Sequence, residues 1–165
     1  VTCIAYRDGV LAADSQATAQ DGLVTGRVTK IWRLPDGGLC GGAGAAGDMM
    51  SFLAWAGGDR AATWHGKDTE SGFSGVMISP QGEVSLYDIE GRAYALDAAF
   101  YARGVGAELA IGAMAMGATA EQAVEVACRF SVWCGGPIHT LRLVRASTCA
   151  DTRPPAISLG AAVAS

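Results

Sequence analysis

The stretch VTCIAYRDGVLAADSQAT, residues 1–18, decides the fold. Residues 2–7 alternate in polarity, Asp8-Gly9 supplies a tight-turn dipeptide, and VLAAD at 10–14 returns. That pattern predicts a β-hairpin with Thr2 at its start and Asp14 at the end of its second strand. Thr2 is one residue from the chain start. If Val1 were absent, Thr2 would carry a hydroxyl and a free α-amine, placing a nucleophile and a base on one residue.

Outward from the hairpin, AQDGLVTGR at 19–27 reads as a polar connection and VTKIWRL at 28–34 as another strand. Pro35-Asp36-Gly37-Gly38 is turn chemistry, and LCGGAGAAGD at 39–48 is a short strand dissolving into small residues. MMSFLAWA at 49–56 has helical spacing with Asp48 near its start, where a negative charge is favourable. Residues 57–73 are a polar, glycine-rich connection; GVMISP and EVSLYDI then flank Pro80-Gln81-Gly82 as a second hairpin. AELAIGAMAMG at 107–117 predicts a helix of small residues stopped by Gly117. Thr119 with Gln122 three residues on is a capping-box pattern, so a further helix follows until CGGP at 134–137 breaks it. IHTLRLVRA returns as a strand, and the tail over 149–165 is expected to be loosely held or to pack on a neighbour. The order of strands, helix, strands, two helices and strand predicts one α+β domain over 1–165. It would hold two antiparallel sheets with helices outside them.

Composition narrows the function. The 165 residues are half hydrophobic with a net charge of −4, so the basic footprint of a nucleic-acid binder is missing. No apolar run reaches the roughly 18 residues of a membrane span. Five cysteines (Cys3, Cys40, Cys128, Cys134 and Cys149) make an odd count without CxxC spacing, against a disulfide framework and against a zinc site. A reducing cytoplasm is the economical assumption. His65 and His139 are isolated, without a partner at ligand spacing, so no metal is expected. Taken alone, Asp14 reads as a strand-end turn residue, Lys30 as part of a solvated strand face, and Gly44 as a close-packing glycine.

Together these stretches resemble the proteasome β-subunit and HslV-type peptidases, which are N-terminal nucleophile (Ntn) hydrolases. TCIAYRDGVLAADSQAT is similar to the family's threonine-led strand, hairpin and acidic segment, and VTKIWRL to its lysine-bearing strand. GAGAAGD before a helix and the late run GVGAELAIGAMAMGATAEQAVEVACRF…CGGPIHTLRL complete the likeness over residues 2–143. The resemblance implies a four-layer αββα sandwich of two antiparallel sheets flanked by helices. It implies Thr2 as nucleophile, Asp14 and Lys30 as its charged supports, and Gly44 as the oxyanion-hole glycine. Peptide-bond hydrolysis without a metal or organic cofactor follows, on a polypeptide substrate, in a homo-oligomer built as a ring or stacked rings, with an ATP-dependent unfoldase as the partner many relatives use.

The chain also departs from the family. Gly104-Val105-Gly106 stands where relatives commonly carry a Gly-Ser-Gly turn, and Ser131 and Cys134 stand where they commonly carry an aspartate and a serine. Those positions support the terminal amine in many relatives. Their alteration leaves open a catalytically inactive structural subunit, and a small-molecule Ntn amidase is a third reading. The amine mechanism requires removal of residue 1. Val1 is expected to stand where an initiating methionine would be, as when a GTG start codon is read literally; a short propeptide or autocatalytic cleavage is the alternative.

Overall fold

A computed structural model describes residues 1–19, 21–64 and 72–144. His65, Cys149 and the tail over 149–165 lie outside the described residues. The chain runs β1 (Cys3–Arg7), β2 (Val10–Ala13), β3 (Gln16–Thr18), β4 (Val24–Arg27), β5 (Ile31–Arg33) and β6 (Leu39–Ala43) into α1 (Ala46–Ala56). It continues through β7 (Ser74–Ile78), β8 (Val84–Asp88), β9 (Ala93–Leu96) and β10 (Phe100–Gly104) to α2 (Ala107–Ala115), α3 (Ala120–Phe130) and β11 (His139–Arg142).

The opening hairpin forms as its sequence dictates. Asp8 and Gly9 both take positive φ (51° and 76°), the requirement of a two-residue turn whose twist matches its strands, and Arg7 pairs with Val10 across it. One antiparallel sheet has the order β10-β1-β2-β11, a second the order β5-β6-β7-β8-β9, and β3-β4 form a separate ribbon.

Alternation along β1 sends its side chains to two faces. Cys3 and Ala5 join Ala12, Ala102 and the small residues of α2 and α3, including Ala110, Ala120, Ala123 and Ala127. Small side chains at these positions let the helices approach the sheet closely. Ile4 and Tyr6 point the other way and join Leu11, Ala13, Ile31, Leu39, Val76 and Ile78 between the sheets. A third cluster holds Cys40, Met49, Phe52, Trp64 and Phe73, where α1 covers the second sheet. Thr119 caps α3 through the reciprocal bonds with Gln122, an arrangement worth about 1 kcal/mol.

Three expectations need correction. The strand read over 28–34 is only Ile31–Arg33, so Lys30 precedes it. The backbone there turns aside because the Val28 amide donates to the Ser15 carbonyl instead of joining the sheet. Val24–Arg27, read as part of a polar connection, is a strand paired with β3. Finally, β9 and β10 have no counterpart in the sequence reading. Most of β9 is exposed, and Asp97-Ala98-Ala99 between the two strands carries no turn signature.

Candidate active site

The β1–β2 hairpin places Asp14 beside the start of its own first strand. Its carboxylate is buried and receives four donors. The Cys3 amide (2.8 Å) and Lys30 Nζ (2.8 Å) reach Oδ1, while the Gln16 and Gly135 amides (3.2 Å each) reach Oδ2. Three backbone N–H groups and one ammonium therefore fix the carboxylate, and removal of any would leave an acceptor short in a water-poor place. Lys30 is itself only 2% exposed. Its second bond runs to the carbonyl oxygen of Val1 at 3.0 Å.

Thr2 Oγ1 donates to that same Val1 oxygen at 2.6 Å. Thr2, Lys30 and Asp14 thus form one connected set, with the carbonyl of residue 1 as the shared acceptor. Behind it, Gly104 (φ +96°) has no room for a side chain, since a Cβ there would run into the Thr2 carbonyl oxygen. Gly104→Ala combines left-handed strain with that clash. It is expected to cost about 2–4 kcal/mol, read as a lowered urea midpoint in equilibrium unfolding; an unchanged midpoint would show that the backbone behind Thr2 gives way freely.

In front of Thr2 opens a cleft of about 800 Å³, lined by Val1, Thr2, Lys30, Gly44 and Val105 among others. Gly44 follows β6 with φ +134°, and a Cβ would lie 2.7 Å from the Phe73 Cα, so only glycine fits. It leads directly into α1, whose N-cap is Ala45 and has no side-chain cap bond. Ala45 and Ala46 line the cleft, so the partial positive charge of the helix start faces it. Met49 and Val28 also line it and pack in the apolar cluster beneath α1.

Thr2, Lys30, Gly44 and Val105 meet at the cleft, with Asp14 buried behind them. Val105 is half exposed there, and its hydrocarbon side chain offers no polar atom. Ser131 and Cys134 do not line the cleft. Ser131 ends α3 and its Oγ accepts from the Trp133 amide at 3.3 Å, while Cys134 is buried beside Cys3.

Some groups at the site were invisible in the sequence reading. Gly135 clamps Asp14 through its backbone amide, which leaves no signature beyond the Gly-Gly pair. Trp133 reaches the cleft and would touch a side chain placed at Gly22. Ser15 is fully buried, and its hydroxyl packs where Gly136 lacks a Cβ.

No family model matches the sequence, and no curated protein matches it. Solved structures do. The chain is similar to HslV from Trypanosoma brucei, with a TM-score of 0.62 and 19% identity over 86% of this chain and 98% of that one. The fold is that of HslV. It is also similar to the BPH protein of Thiobacillus denitrificans in complex with epoxomicin (TM-score 0.60, 17% identity, 87% of this chain and 98% of that one). Among the described residues, no helix is long and apolar enough to cross a membrane.

Proposed function

We propose that this chain is a threonine peptidase in which Thr2 Oγ1 attacks a peptide carbonyl once residue 1 has been removed. The observation that carries the reading is the convergence of Thr2 Oγ1 and Lys30 Nζ on one carbonyl oxygen, with Lys30 held from behind by Asp14. A threonine hydroxyl needs a base, and a terminal amine with a reference pKa near 7.7–8.0 is unprotonated in useful part at neutral pH. The Lys30 charge beside it disfavours protonation of that amine and favours the developing alkoxide. The Gly44 region and the start of α1 would receive the negative charge of the tetrahedral intermediate. Collapse breaks the C–N bond, the amine leaves with a proton, and water hydrolyses the ester on Thr2.

The same contacts bear on how the amine is exposed. Lys30 already polarises the Val1 carbonyl, and Thr2 Oγ1 lies against it. Attack of Oγ1 on the Val1 carbonyl carbon would move the acyl group from nitrogen to oxygen, and hydrolysis of that ester would release residue 1. We likewise infer that the three apolar clusters separate four layers in the order helix, sheet, sheet, helix. Met49, Val28, Ala45 and Ala46 on the cleft wall favour an uncharged, apolar substrate side chain.

The test is a peptide epoxyketone with leucine beside its warhead. It is expected to form a mass-detectable adduct on Thr2 in protein that has lost Val1, and to label faster than the aspartate analogue. Correctly trimmed protein that stays unlabelled would instead support the catalytically inactive subunit, the reading that the apolar Val105 side chain favours.

A further inference from the structure

Two thiols lie directly beneath the site and take no part in the mechanism above. Cys3 is the residue after Thr2 and is fully buried; Cys134 is 4% exposed. Their side chains converge on the bare face of Gly106, where a Cβ would sit 2.8 Å from the Cys3 Cβ and 2.9 Å from the Cys134 Sγ. Both side chains belong to the same buried cluster between the first sheet and the helices, packed around that glycine. Both residues also flank the Asp14 clamp. The Cys3 amide donates to Oδ1, and the amide of Gly135, the residue after Cys134, donates to Oδ2.

We propose that Cys3 and Cys134 are a reversible dithiol–disulfide pair, closed by a peroxide, that turns the Thr2 site off. The regulatory part rests on the peptidase reading; the pairing does not. The Cys3 thiol beside it holds the Cys134 thiol below its usual value, whereas the Cys134 sulfur and burial push Cys3 up. Cys134 also keeps 4% exposure where Cys3 has none, so it is the sulfur a peroxide meets first. Its thiolate attacks one peroxide oxygen, the O–O bond breaks, and the leaving hydroxide takes a proton to become water. The Cys3 sulfur then attacks the resulting sulfenic sulfur. An S–S bond forms, the S–O bond breaks, and the Cys3 proton leaves with the hydroxide as a second water. The two thiols supply the two electrons that reduce the peroxide.

Closure has a mechanical consequence. A disulfide of about 2.05 Å is much shorter than any non-bonded contact between two sulfurs, so β1 and the loop after α3 are drawn together. Each cysteine is one residue from a working group: Thr2 on one side and the Gly135 amide on the other. Displacements near 1 Å at such groups cost up to about 10²-fold in rate.

The whole chain would be titrated with hydrogen peroxide, quenched with an alkylating reagent and mapped without reduction, with turnover of a peptide amide measured in parallel. The expected result is a Cys3–Cys134 linked peptide, with turnover falling about tenfold to 100-fold and returning with dithiothreitol. Linkage of either cysteine to Cys128 or Cys149 instead, or no linkage at all, overturns the pairing. A Cys3–Cys134 link with unchanged turnover overturns the switch. Reduced protein without any turnover counts against the peptidase reading, and the map still decides the pairing.

Discussion

Replacing Thr2 with alanine is expected to reduce turnover of a peptide amide by about 10⁴–10⁶-fold while the fold persists. The size of the loss follows from the proposed role, because among the described residues no other hydroxyl bonds to the shared carbonyl oxygen as Thr2 Oγ1 does at 2.6 Å. The persistence of the fold follows from the bonding. The hydroxyl's bond goes to the adjacent residue and ties no two elements together, so its loss costs at most about 1.5 kcal/mol. Rates on a chromogenic peptide, read beside a thermal melt, test both halves. Residual activity within tenfold of the parent would remove Thr2 from the chemistry. A collapsed melt would show that the residue is structural.

Asp14→Asn is expected to act on stability as strongly as on rate. Lys30 is 2% exposed and its ammonium faces the Asp14 carboxylate at 2.8 Å. Removal of that negative charge leaves a buried cation uncompensated, a loss of about 3–5 kcal/mol. In a chain of this length that lowers Tm by roughly 10 °C. An amide in place of Oδ2 also meets the Gln16 and Gly135 amides donor to donor. The double variant Asp14→Asn with Lys30→Met is expected to recover part of the lost stability, since the stranded charge is gone, yet none of the activity. A single variant that melts within about 2 °C of the parent would contradict the buried pair as a structural support.

Much of this arrangement is legible in the sequence because it depends on local signals. Asp8-Gly9 fixes the register of β1 on β2 and so puts Asp14 beside Cys3. Thr119 with Gln122 starts α3, and the small residues of 107–127 mark where helices lie close to a sheet. Other parts depend on contacts distant in sequence. The brevity of β5, which frees Lys30 to reach Asp14, comes from a backbone bond between Val28 and Ser15 that no side chain announces. The exposed side chains of β9 and β4 give no burial alternation to read. The four donors around Asp14 escape for the same reason, since three of them are peptide N–H groups common to every residue.

The seat of Val1 has a practical consequence for anyone producing this protein. Its carbonyl is gripped by Lys30 and Thr2, and its side chain lines the cleft. A purification handle fused upstream would thread outward through the groove meant for a ligand and act as a tethered plug. Preparations in which the bond between residue 1 and Thr2 stays uncut would score as inert in an assay screen, whatever the trimmed molecule does.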